Sequence, residues 1–160
     1  MKHVTRWLFV VLFVSSLTSF VKKDRLPVGL EVGEMAPAFG LAGNRPFALD
    51  SCKGGYVLLS FWASYDASSR LHNAQLNNVL PDLPEEVKMV SVSFDDYRSV
   101  FRETVREDRL RFAECYWEKP ASSVYGLYEL EKGFGNYLLD ADGVIVARNV
   151  TASELPSYFN

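Results

Sequence analysis

The sequence predicts an α/β fold, a mixed central sheet with helices on both faces and an N-terminal β-hairpin. Three observations carry that prediction. Residues 56–62 (YVLLSFW) are a continuous apolar run behind Gly54-Gly55, the pattern of a strand buried on both faces. Residues 87–94 (VKMVSVSF) form a second strand, and the helix-patterned stretch between them demands a crossover, hence parallel pairing. Residues 136–140 and 144–148 flank Asp140-Ala141-Asp142-Gly143, a tight turn whose glycine can take a positive φ, so the last pair is antiparallel.

The remaining elements follow in order. Pro27, Gly29, Gly33 and Pro37 mark an extended lead-in, and a short hairpin joins 37–41 to 46–49 through Gly43-Asn44-Arg45. Leu71, Ala74, Leu76, Val79 and Leu80 give residues 66–80 an apolar helix face that stops near Pro81. Residues 98–110 are a charged surface helix with Val100, Phe101, Val105 and Leu110 as its apolar positions. A short strand over 111–116 and a helix over 121–131, bearing Val124, Leu127 and Tyr128, precede the last hairpin. Thr151 caps a short final helix, with Glu154 as its capping-box partner.

A chain of 160 residues with 48% apolar content makes one domain with one core. The net charge of −3, with signs mixed, supplies no basic field, which argues against nucleic acid as a partner. The N-terminus departs from this average. Lys2, His3 and Arg6 precede an apolar run over 7–21 that ends in small polar residues. As a helix it would span roughly 22 Å, short of a bilayer core of roughly 30 Å. Residues 1–21 therefore read as a secretory signal peptide or, given the Lys22-Lys23-Asp24-Arg25 cluster, an uncleaved tilted anchor. Residues 22–31 read as a linker and 32–160 as the folded domain. Export, to a periplasmic compartment, is the expectation. Membrane contact would come only through the N-terminal segment. No cysteine follows the apolar run to accept a lipid.

Residues 58–70, LLSFWASYDASSR, resemble the thioredoxin superfamily, in its branch of exported thiol-disulfide oxidoreductases of cytochrome-maturation and peroxiredoxin-related (AhpC/TSA-like) type. The resemblance continues through Val32-Gly33-Glu34-Met35-Ala36-Pro37-Ala38-Phe39, Lys53-Gly54, residues 90–95 and the terminal Tyr137-Leu138-Leu139-Asp140 with Gly143-Val144-Ile145. It implies a thioredoxin-like fold from about residue 30 to 155. It also implies a Cys-x-x-Cys pair at the head of the first helix, where this sequence has Asp66 and Ser69. The family's cis-proline position falls on Phe134, where a trans peptide is expected, because a non-proline cis bond costs roughly 2.5–4 kcal/mol.

Dithiol exchange needs an attacking thiolate and a second thiol to resolve the mixed disulfide. Asp66 offers a carboxylate to the positive helix end instead, and reads as a structural cap. The remaining thiols, Cys52 and Cys115, read as ends of the sheet roughly 20 Å apart, whereas bridged Cα atoms lie about 4.4–6.8 Å apart. His72 stands alone on the first helix, so no metal site is expected. Nothing indicates a haem, flavin or nucleotide, so no cofactor is expected. Asp95 and Asp96 read as caps of the helix near Arg98. Trp62, Tyr65, Tyr116, Trp117, Tyr125 and Tyr128 divide between core packing and the rim of a groove, and Trp62, Tyr65, Asp66, Ser69, Phe134 and Gly135 are its candidate lining. The expected function is a non-catalytic, redox-inactive module binding a peptide or protein. The alternative is a thiol-disulfide oxidoreductase or thiol peroxidase using Cys52, Cys115 or both.

Overall fold

The computed structural model describes residues 26–42, 46–52 and 54–159. The N-terminal segment expected to direct export, the turn at 43–45 and Lys53 lie outside the described residues. A five-stranded sheet has the order β5-β4-β3-β6-β7, built from β3 (Tyr56–Trp62), β4 (Val87–Ser93), β5 (Glu114–Trp117), β6 (Asn136–Leu139) and β7 (Ile145–Arg148). β4 pairs parallel with β3 and β5, whereas β6 runs antiparallel to β3 and β7. A two-stranded hairpin, β1 (Gly40–Leu41) and β2 (Phe47–Ala48), precedes it.

Strand alternation divides the core. Val57, Leu59 and Phe61 of β3, with Val90 and Val92 of β4, pack beneath the hairpin residues Leu41 and Phe47 and beneath Val124 and Tyr128. Leu58 and Met89 face the opposite side, where Leu76 and the C-terminal Leu155 cover them. Trp62 meets Phe101 and Leu110 on that second side. The crossovers are helices α1 (Ala67–Val79) and α2 (Arg98–Glu107), and α3 (Ser123–Leu127) lies on the hairpin side. Arg70 clamps α1 to the end of α2, donating to both carboxylate oxygens of Asp108 at 2.7 and 2.6 Å.

Three expectations shift. The buried face of α1 is Ser69, Asn73, Leu76 and Asn77, while Leu71 points to solvent. Polar residues face inward here because each finds a partner. Asn77 accepts the backbone N–H groups of Phe112 and Ala113 at 3.0 and 3.1 Å. That contact also explains why the strand expected at 111–116 begins only at Glu114: a helix side chain holds the two preceding amides. The helix expected over 121–131 ends at Leu127 and resumes as a 3-10 turn over Leu130–Lys132, because Glu129 takes a left-handed φ of 51°. Tyr128 turns inward there and donates its hydroxyl to Pro37 O at 2.9 Å.

The terminal hairpin forms as read. Asp140 Oδ1 accepts the amides of Asp142 and Val144, both at 2.9 Å, and Gly143 has φ +87°. Thr151 and Glu154 form the expected reciprocal box, with Thr151 N–H donating to the Glu154 carboxylate at 3.0 Å and Glu154 N–H to Thr151 Oγ1 at 3.3 Å. Residues 33–34 pair with the first residue of β7 on its outer edge: Gly33 N–H donates to Ile145 O at 2.8 Å and Ile145 N–H to Glu34 O at 2.9 Å. Among the described residues no strand pairs with the outer edge of β5. No helix among them is long and apolar enough to cross a membrane.

Candidate binding cleft

Three loops meet at the C-terminal edge of the parallel strands: residues 63–66 after β3, 94–97 after β4, and 133–135 before β6. Ligands of open α/β sheets gather at such an edge. Asp66 is extended (φ −96°, ψ 97°) and caps α1, its Oδ1 accepting the Ser69 N–H at 2.8 Å. Ser69 is buried; its hydroxyl donates to Asp66 O at 3.2 Å and accepts from Ala63 N–H at 3.4 Å. Oxygen-based hydrogen bonds thus tie both positions into the helix start.

Asp95 does not cap α2. Tyr97 occupies that cap and makes no side-chain bond there. Asp95 is instead buried behind the first loop, where its Oδ1 accepts the N–H and O–H of Ser64 at 2.8 and 2.6 Å and its Oδ2 accepts the Ser93 hydroxyl at 2.7 Å. It therefore holds the Ser64–Asp66 loop against β4. The signal was present in the alternating Ser91 and Ser93 of a buried strand, since inward polar groups require partners.

The third wall is aromatic. Phe134 stacks on Phe94 at 6.1 Å and 19°, and meets Tyr125 and Tyr65 edge-on, each at 6.3 Å. All peptide bonds among the described residues are trans. Gly135 allows a close approach: a Cβ there would lie 2.4 Å from Asn149 Oδ1. An open cleft of about 290 Å³ results, lined by Asp66, Ser68, Ser69, His72, Phe134 and Asn149 among others. His72 and Asn149 were not singled out as lining residues from the sequence.

Trp62, expected in the lining, is wholly buried on the other face of the sheet. Alternation along β3 sends it beneath α1 and α2, where its indole N–H donates to Ser91 Oγ at 2.8 Å and Ser91 donates on to Asn73 Oδ1 at 2.9 Å. Tyr116 and Trp117 line a separate cleft of about 820 Å³ along β5. Tyr65, Tyr125 and Phe134 remain as the aromatic rim.

The same architecture recurs in a thioredoxin-like protein from Parabacteroides distasonis. It is 36% identical, with a TM-score of 0.73, over 84% of this chain and 98% of that one. This chain belongs to the thioredoxin-like proteins. The C-terminal domain of a protein named as a thiol-disulfide oxidoreductase from Bacteroides thetaiotaomicron is 27% identical, with TM-score 0.69 over 80% of this chain and 93% of that one. The thioredoxin domain of a thiol-disulfide oxidoreductase from Bacteroides vulgatus shares the fold at 21% identity, with TM-score 0.70 over 82% and 100%. No family model and no curated protein sequence matches.

In this thioredoxin-like protein Cys52 and Cys115 are free thiols. Cys115 lies on the edge strand β5, level with the fifth residue of β3 and so toward the C-terminal end of the parallel strands, though not at their last residues. It is in register with Ser91, which is itself in register with Ser60. To this separation along and across the strands the faces add another: Cys52 packs with the hairpin-side core, Cys115 with Trp62 on the helix side. A bridge would have to pass through the sheet. Burial pushes the Cys115 thiol up to about 11, with a hydrogen bond to Ser91 pulling the other way. Because the folded value is raised from 9.0, its stabilising effect is full below that pH and lost as pH rises towards about 11. The thiolate absorbance of the parent minus that of Cys115→Ser, which removes the overlapping tyrosine signal, should therefore show Cys115 ionising at about pH 11. At pH 8 a maleimide should label Cys115 only slowly, and the intact mass should show no loss of two hydrogens.

Proposed function

We propose that this thioredoxin-like protein is a non-catalytic, redox-inactive member of its family, acting in an exported compartment and binding a peptide or protein partner in the cleft. The observation that carries the reading is the helix head. Asp66 and Ser69 stand where an exchange reaction would need its attacking and resolving thiols, and both are engaged as a cap. A carboxylate is favoured at that positive end but has no two-electron chemistry with a disulfide. The cleft around it persists, open and aromatic on one side. Export is supported by the cationic start and short apolar run of residues 1–21. Enzymatic use of the remaining cysteines finds little support: Cys115 is held protonated by burial, and the two thiols pack on opposite faces of the sheet.

The test is insulin-disulfide reduction by purified protein, with a dithiothreitol-coupled control. Turnover should not exceed buffer. Turnover that disappears in Cys52→Ser or Cys115→Ser would replace this reading with an enzyme using a rearranged site.

A further inference from the structure

The aromatic rim of the cleft carries an unbalanced charge. Phe134 lines the cleft, and beside it Tyr65, 66% exposed, and the half-buried Tyr125 meet its ring edge-on at the rim. Asp66, Asp95 and Asp96 stand on the two loops beside these rings, and no ion pair among the described residues includes any of them. The donors that meet Asp66 and Asp95 are neutral N–H and O–H groups, which fix the carboxylates without cancelling their charge. Asp96 is exposed. Among the described residues His72 is the one basic side chain lining the cleft, while Lys119 lines the separate cleft along β5. The Tyr65 hydroxyl registers this field: burial raises its pKa first, then Tyr125, Asp96, Asp95 and Asp66.

We infer that the cleft takes an extended polypeptide segment presenting a lysine or arginine side chain, its cation set against the Tyr65, Tyr125 and Phe134 rings and faced by Asp66 and Asp96. The inference rests on the peptide-binding reading above and names the chemistry of its partner. The charge complementarity is specific. A long cationic side chain lays its methylene stem on aromatic surface while its head meets ring faces and carboxylates. An acidic segment would meet the carboxylates of Asp66 and Asp96, with the buried Asp95 behind them, and be repelled.

The test is fluorescence anisotropy of the full chain with two labelled peptides, Ala-Leu-Arg-Leu-Ala and Ala-Leu-Gln-Leu-Ala. The arginine peptide should bind about tenfold more tightly, the combined scale of an exposed cation–π contact and an ion pair. That lead should shrink with added salt. It should also be lost in the double variant Asp66→Asn, Asp96→Asn, in which asparagine keeps the helix cap. Equal binding of the two peptides would overturn the charge inference and leave peptide binding standing. An arginine preference that survives the double variant would place the cation elsewhere and overturn this site. Binding of neither peptide at millimolar concentration would end both readings.

Discussion

Replacing Asp66 and Ser69 together by cysteine is expected to give the protein a reversible disulfide and measurable insulin-reductase turnover where the parent has none. Residues three apart at a helix start have Cα atoms about 5 Å apart, inside the roughly 4.4–6.8 Å range of bridged cysteines. Position 66 is half-exposed and position 69 buried, so the first thiol can be reached by a substrate while the second waits beneath it to resolve the mixed disulfide. The helix N-terminus lowers the pKa of the exposed thiol. The loss of the aspartate cap costs about 1 kcal/mol, which a folded domain of this size tolerates. Mass spectrometry of the oxidised variant should show two hydrogens fewer than its reduced form. A bridge that forms without turnover would point to an obstruction in the cleft, where the Phe134 ring stands with Asp66 and Ser69 in the lining. Failure to bridge at all would mean that the helix head lacks the required geometry.

Asp95→Ala should produce the largest loss of stability. The substitution leaves the Ser64 amide and hydroxyl and the Ser93 hydroxyl without the buried carboxylate they share. Hydrogen bonds to a buried charge are worth more than neutral ones, and orphaned donors carry their own desolvation penalty. The expected loss is about 3 kcal/mol, seen as a fall in Tm of about 10 °C. Ser64→Ala, which keeps the carboxylate and the Ser64 amide, should cost about 1 kcal/mol. If the two variants melted alike, Asp95 would not be the post on which the cleft's first loop hangs.

The fold was legible because its strongest signals are local. The length, Val and aromatic content and flanking glycines of YVLLSFW favour a strand covered on both faces, and Asp140 to Gly143 carries the signal of a tight turn; both appear where the pattern puts them. Asp66 as a cap was also legible, since capping needs only the residue and its next turn. What stayed hidden depends on partners distant in sequence. Asn73 and Asn77 look like solvent-facing positions of a helix until Ser91 and the Phe112 and Ala113 amides are seen beneath them. Asp95 looks like a helix cap until Ser64, across a strand crossover, is seen donating to its Oδ1 and Ser93 to its Oδ2. Trp62 and Tyr65 are three residues apart and were grouped as one rim, yet strand alternation buries the first and the following loop exposes the second.

The pairing of residues 33–34 with Ile145 occupies the start of one side of the sheet and leaves the two sides unequal for self-association. A sheet with two bare sides can recruit copies without end, as fibrils do; a sheet bare on one side can be met there once, and the resulting pair presents nothing further for growth. By this geometry, among the described residues, the outer edge of β5 is the side more open to strand-to-strand addition.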